Sequence, residues 1–217
     1  MAKNFVSNKD ESVRMFKNDY IDLVSRVHFS MPLYIYVPIM LICLYRTVFI
    51  FHTNFFIIIG LTIVGIFVWT FTEYNLHRFV FHYEPKSSIG KRIHFITHGV
   101  HHDYPNDSKR LVMVPPISIP LCVFFYTLFY FMIGEAYVDS YFVGYVAGYL
   151  FYDMSHYYLH HGNFKSKFWN ELKQNHMRHH YLEPDKGFGV STTFWDLVYR
   201  STFRAKQEKK EALEVEA

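Results

Sequence analysis

The chain has 217 residues, 51% apolar and 20% aromatic against 19% charged, with a formal net charge of +3. That much segregated apolar sequence excludes an ordinary soluble domain, and so small a positive charge, with no basic patch interleaved with aromatics, excludes a nucleic-acid binder. The two cysteines, Cys43 and Cys122, lie inside apolar runs, which excludes a disulfide framework and a CxxC ligand pair.

Residues 1–30 are polar and contain no signal-peptide core. Val13, Phe16, Tyr20, Leu23 and Val27 recur there at helical spacing, which predicts an amphipathic segment at the bilayer interface. Four apolar stretches follow, at about 31–51, 55–72, 111–133 and 137–154. Each is near the ~20 residues that cross ~30 Å of hydrocarbon. Only His52, Thr53 and Asn54 part the first two, and Gly134, Glu135 and Ala136 the last two, so the pattern predicts two helical hairpins. Arg46 is an anomaly inside the first stretch, explained by snorkelling or by a shallow or tilted helix. The charged residues 206–217 read as a solvated tail, leaving 31–205 as the membrane-embedded domain.

Lysines and arginines concentrate in residues 73–110 and after the fourth stretch, and the two hairpin turns carry none. The positive-inside rule then places both termini and both of these basic segments on the cytoplasmic side of the membrane. Those segments hold the chemistry. Twelve of the fourteen histidines fall in residues 77–102 and 156–180. They comprise His77 and His82, the HxxHH triplet of His98, His101 and His102, the HxxxHH set of His156, His160 and His161, a second HxxHH of His176, His179 and His180, and His94.

Imidazoles three or four residues apart leave one helix face, so each cluster is expected to offer two or three nitrogens to a single metal. Ten or so donors exceed the four to six that one first-row ion takes, which implies two ions. Imidazole suits iron, zinc and copper alike. Two irons at a membrane surface activate dioxygen against an unreactive C–H bond, whereas zinc lacks the redox chemistry. The ligands also need groups to fix their tautomers, and Asp103 and Asp153 are the leading carboxylates, with Glu73, Glu183, Asp185 and Asp196 behind them. A histidine-rich metal transporter or sensor is the non-enzymatic alternative; it needs polar residues lining the membrane helices, and these stretches have few.

Four segments carry a resemblance: EYNLHRFVFH (73–82), HGVHHDYPNDSKRLVMVPP (98–116), YDMSHYYLHHGN (152–163) and HMRHHYLEPDKGFGVSTTFWD (176–196). With them, the chain from about 30 to 205 resembles the fatty acid 2-hydroxylases, the sphingolipid α-hydroxylases of the fatty acid hydroxylase and sterol desaturase superfamily. The histidines alone specify the superfamily; YDMSHYYLHH and GFGVSTTFWD point to the 2-hydroxylase branch. The resemblance implies an all-α integral membrane fold, with four transmembrane helices and a cytosolic helical cap enclosing a dimetal site. It implies O2-dependent hydroxylation at C2 of a long-chain fatty acyl group, free or in ceramide, with sterol or carotenoid oxidation as the sister chemistry.

Carried over residue by residue, the catalytic metal ligands are His77, His82, His98, His101, His102, His156, His160, His176, His179 and His180. His94 and His161 fall outside that ten and join Asp103 and Asp153 as residues expected behind the ligands. Tyr157, Tyr158 and Tyr181 are candidates for holding the acyl head group. Two departures stand out. No HPGG haem motif of a fused cytochrome b5 domain occurs, so a separate cytochrome b5 or ferredoxin-type donor is expected, and a bacterial inner membrane is favoured over the endoplasmic reticulum. RLVMVPP (110–116) also has one valine more than the RLVMPP of some relatives, at the expected substrate entrance.

Overall fold

In the computed structural model, residues 4–203 are described, and the expected charged tail lies outside them. Those residues form helices and connecting segments with no strand. In chain order the helices are α1 (Asp19–Val24), α2 (Met31–Tyr45), α3 (Phe55–Asn75), α4 (Ser88–His94), α5 (Val100–Asp103), α6 (Pro115–Ile133), α7 (Glu135–His161), α8 (Lys167–Tyr181) and α9 (Phe194–Val198). Wider π-helical turns extend α2 through Arg46–Ile50 and α3 through Leu76–Phe81, and join α4 to α5 through Phe95–Gly99.

Among the described residues three helices are long and apolar enough to cross a membrane: Met31–Ile50, Phe55–Phe81 and Pro115–Ile133. The fourth expected stretch lies in α7, which is the central helix. It carries Glu135, Asp139 and Asp153 and is buried along most of its 27 residues by α2, α3 and α6. A helix sheathed by protein needs no lipid-compatible exterior, which is why α7 tolerates polar groups that its neighbours lack. The neighbours expose Phe49, Phe56, Ile63 and Phe131 outward, as lipid-facing surfaces do.

The closest helix contact is between α3 and α7, and glycine permits it. A Cβ on Gly144 would lie 1.9 Å from the Thr62 carbonyl oxygen, and one on Gly65 2.1 Å from that of Tyr141. Small residues at facing positions let backbones approach where apolar burial alone gives no preference over lipid. Around this seam pack Trp69, Phe129, Phe142, Tyr145 and Tyr149. Gly134, at φ +80°, makes the turn from α6 to α7 in a backbone region costly for other residues.

Arg46 has a specific partner. Its Nε lies 2.9 Å from Oδ2 of the buried Asp139, whose Oδ1 accepts from the Tyr126 hydroxyl at 2.9 Å. Removing one member of such a pair strands the other charge. Arg46→Met is therefore expected to destabilise the protein by about 3–5 kcal/mol. A large fall in the midpoint of thermal unfolding in detergent, mostly recovered when Asp139→Asn is added, is the outcome that checks it.

Both axial helices run past the apolar zone. Helix α3 continues through its π turn to deliver His77, and α7 continues to His160. Over these ends gather α4, α5, α8 and α9. The N-terminal segment wraps this assembly as a strap rather than as one long helix, and only Asp19–Val24 is helical. Val6 and Ser7 donate their backbone N–H groups to Asp103, Val27 donates to Lys109, and Ser108 N–H donates to the Asp10 carboxylate. Tyr20, Ile21, Leu23 and Val24 on α1 are left exposed.

Candidate metal centre

Ten imidazoles meet at the ends of α3 and α7 in two groups. His77, His82, His98, His102 and His179 form one, and His101, His156, His160, His176 and His180 the other. Within each group one nitrogen from every ring lies within 4.8 Å of all the others. These are the ten residues singled out in the sequence, and His94 and His161 belong to neither group. His161 is exposed against Tyr157, and His94 is half-buried on α4.

Local geometry explains the sorting. His77 and His82 are five residues apart, a spacing that diverges on an α-helix. The π turn at Leu76–Phe81, closed by the His82 N–H to the His77 carbonyl at 3.1 Å, brings both rings into one group. His156 and His160 meet by the ordinary i, i+4 rule on α7. The two HxxHH triplets depart from expectation. Each is divided, with His98 and His102 in one group and His101 in the other, then His176 and His180 in one and His179 in the other. Neighbours on a helix point about 100° apart, so a triplet lying between two sites serves both. The groups are adjacent, and His102 stacks on His180 with ring centroids 4.3 Å apart.

The nitrogens have the disposition of a ligand cage. His98 Nε2 lies 3.1 Å from His82 Nε2 and 3.0 Å from His102 Nε2. His176 Nε2 lies 2.9 Å from His160 Nε2 and 3.1 Å from His180 Nε2. Ligands about 2.1 Å from a common ion at right angles are roughly 3.0 Å apart, so the spacing fits a first-row metal. Nε2 of His77 and of His179, and both ring nitrogens of His101, are buried without a hydrogen-bond partner among the described residues. Burial, reinforced by neighbouring imidazoles, holds His102 down to about 3 and pushes His98, His101, His176, His179 and His180 well below the ordinary imidazole value. The buried setting favours the neutral imidazole, the form whose lone pair can bind a cation. Two such groups can bind metal.

The groups that orient the rings are mostly not the carboxylates expected. Nδ1 of His77 faces the Phe188 carbonyl at 2.5 Å, that of His156 the Leu111 carbonyl at 3.0 Å, and that of His179 the Lys186 carbonyl at 2.7 Å. Each carbonyl fixes Nδ1 as the protonated nitrogen and leaves Nε2 as the donor to a metal. Carboxylates act one step further out. Glu73 Oε1 accepts from the Val190 and Ser191 N–H groups at 2.8 Å each, and its Oε2 from the Ser191 hydroxyl. Asp196 accepts from the Phe188 and Gly189 N–H groups at 2.9 Å and from the Ser201 hydroxyl at 2.7 Å. The segment GFGVSTTFWD is thus clamped by Glu73 and Asp196 so that its Phe188 carbonyl faces His77, beside the Lys186 carbonyl that faces His179. Asp103 engages the strap through its backbone carbonyl, and Asp153 points a buried, unpartnered Oδ2 toward a small cavity beside His156.

Two cavities adjoin the cage. The larger, about 450 Å³ and apolar, lies between α1, the Ile96–Val100 stretch and the RLVMVPP segment, and His101 forms part of its wall. The smaller, about 60 Å³, is walled by His98, His101, His156, Asp153 and Arg110. Tyr157, Tyr158 and Tyr181 line neither. Tyr157 stacks on Phe29 at 4.3 Å, Tyr158 is half exposed, and the Tyr181 hydroxyl donates to Asn8 Oδ1 at 2.7 Å.

Comparison with known proteins agrees with this geometry. The family model of fatty acid hydroxylases matches residues 62–201. A dihydroceramide fatty acyl 2-hydroxylase of Arabidopsis thaliana is 36% identical over 93% of this chain and 84% of its own. A fatty acid 2-hydroxylase of Rattus norvegicus is 34% identical over 91% of this chain, which spans 59% of that protein. The solved hydroxylase domain of Scs7p superposes with a TM-score of 0.81 at 34% identity, covering 85% of this chain and 70% of that one. Such relatives from plant, yeast and mammal overturn the expectation of a bacterial inner membrane, which rested on the missing haem motif; integral membrane embedding stands. By its matched residues, its relatives and its fold, the chain belongs to the fatty acid hydroxylase family.

Proposed function

We propose that the protein is an O2-dependent dimetal hydroxylase acting at C2 of long-chain fatty acyl groups in sphingolipids. Its relatives are named for dihydroceramide fatty acyl, ceramide very long chain fatty acid and fatty acid 2-hydroxylation. The observation that carries the reading is the paired five-histidine cage, with His101 forming part of the wall of an apolar cavity. A site for small polar substrates would not border such a wall.

The ten histidines are the metal ligands in this reading, five to each ion, and iron is the metal. The chemistry supplied by the bound pair is activation of O2, with one oxygen atom inserted into the C2–H bond and the other leaving as water against two electrons and two protons. A cytochrome b5 or ferredoxin-type protein is the electron source. The chain's own residues hold the rings in one tautomer through the Phe188, Leu111 and Lys186 carbonyls, and keep bulk water from the buried cage. The apolar cavity takes the acyl chain, so that positioning of C2 is the protein's main contribution. The domain spans the bilayer four times, with α7 as the sheathed fourth crossing, and α1 rests its exposed apolar face in the interface.

The test is expression in cells that lack 2-hydroxylated sphingolipids, under ¹⁸O2, with mass-spectrometric placement of the new hydroxyl. Labelled oxygen at C2 of ceramide acyl chains, and roughly two irons per chain in anaerobically purified protein, are expected. Hydroxyls confined to a sterol or carotenoid ring, or two zincs and no O2 consumption, would sink the reading.

A further inference from the structure

Arg110 is an unusual resident of the site. Its side chain is 3% exposed, and it lines both the 450 Å³ apolar cavity and the 60 Å³ chamber beside His98, His101 and His156. Its Nη1 lies 3.4 Å from Asp107 Oδ2, but its Nη2 is 3.8 Å from Asp22 Oδ1, beyond hydrogen-bond range. Nε and Nη2 are both buried without a hydrogen-bond partner among the described residues. A buried guanidinium with unmade hydrogen bonds is costly, and such a group persists where something else supplies the acceptor.

The two carboxylates do not explain it. Asp22 already accepts from the Met15 and Phe16 N–H groups at 2.7 and 3.1 Å and pairs with Arg26. Asp107 already accepts from the Ser12 hydroxyl at 2.5 Å and the Lys109 N–H at 3.1 Å. Two other donors on the larger cavity are occupied: Thr97 donates to the Ile93 carbonyl and Ser25 to that of Asp22. Arg110, with these unmet donors, therefore stands in the wall shared by the apolar cavity and the chamber beside the histidines.

We infer that Arg110 binds the carbonyl oxygen of the substrate's acyl group and so makes C2 the carbon presented to the histidine cage. The inference rests on the proposed function and adds the residue that sets its regiochemistry. A planar fork of N–H donors suits an acyl oxygen in an amide or a carboxylate, and C2 is the next atom along the chain. The tail then runs from the chamber into the larger cavity past Ile96, Val112 and Met113, toward Ile21 and Val24 of α1. Arg110 is a positioning residue here. The three tyrosines expected to hold the head group line neither cavity, so this role falls to a residue that the sequence shows only as the first letter of RLVMVPP.

The experiment compares full-length wild type with Arg110→Met and Arg110→Lys, purified in detergent and assayed with a long-chain ceramide and with the free fatty acid. The expected result is unchanged metal content, KM raised about tenfold or more with a smaller change in kcat, and hydroxyl spread from C2 to C3. The substrate whose KM responds is the one whose carbonyl is held. Arg110→Lys keeps the cation beside Asp22 and Asp107 but lacks the fork, and is expected to load metal with the same loss of C2 specificity. Metal-loaded variants with wild-type KM and product at C2 alone overturn the inference. So does failure of both variants to load metal, which would make Arg110 a structural ion-pair residue. Should Arg110→Met alone fail to load, Arg110→Lys decides by the same readouts. A wild type that makes no C2-hydroxylated lipid instead overturns the proposed function.

Discussion

His101→Ala is expected to empty one metal position and abolish turnover. His101 stands at the middle of its group, with ring centroids 4.5 Å from both His156 and His180 and 4.8 Å from His160. It is also flanked in sequence by His98 and His102 of the other group. Its loss leaves four donors around one ion and none of the other group's five removed. Metal content is expected to fall from two per chain toward one, and activity by roughly 100-fold or more, since loss of groups merely supporting a ligand already costs 10–100-fold. Elemental analysis beside turnover measurement checks this. His94→Ala and His161→Ala are the controls, expected to retain both ions because neither ring belongs to a group. Equal metal loss in the controls would show that these clustered histidines act through fold stability rather than ligation.

Glu73→Ala is expected to act nearly as strongly without touching a ligand. Glu73 receives three donors from Val190 and Ser191, and the same loop carries the Phe188 carbonyl that orients His77 and the Lys186 carbonyl that orients His179. Alanine leaves those buried donors unpaired and frees the loop, so two rings of one group lose their fixed orientation. The expected effect is about 10–100-fold weaker metal binding at the group containing His77 and His179. Competition with a chelator measures it. Asp103→Ala is the comparison, because its contact with the strap is made through backbone. Equal effects of the two substitutions would refute the loop-clamp account.

The packed helix pair α3 and α7 serves as the rigid base of the histidine groups. Gly65 and Gly144 fix how closely α3 and α7 approach, and each helix then carries histidines directly from the apolar zone into the site. Sites built on packed helices hold their geometry more tightly than sites on loops. The loop elements that do contribute, around Lys186–Ser191 and Leu111, are tied to those helices through Glu73 and His156.

Much of this was legible in one dimension. Ten histidines at spacings of three, four and five residues, divided by two apolar stretches, pointed to the clustered imidazoles that the fold gathers into two groups able to bind metal. The flanking motifs identify the family. Those features are local: helix periodicity and the length needed to cross a bilayer act within a few turns of chain. Which triplet histidine serves which group was not legible, because it depends on the rotation of α5 and α8 against α3 and α7. The ring-orienting carbonyls were equally hidden, since every residue carries one and only the fold selects Phe188, Leu111 and Lys186. Arg46 looked misplaced until Asp139 arrived from 93 positions away, and nothing in the fourth apolar stretch showed that α2, α3 and α6 would enclose it. The sequence by itself determined the donor set and the apolar segments. Only the tertiary structure decided their allocation, because partners brought together across α3, α7 and the connecting loops, rather than neighbours in the chain, set each side chain's direction and charge.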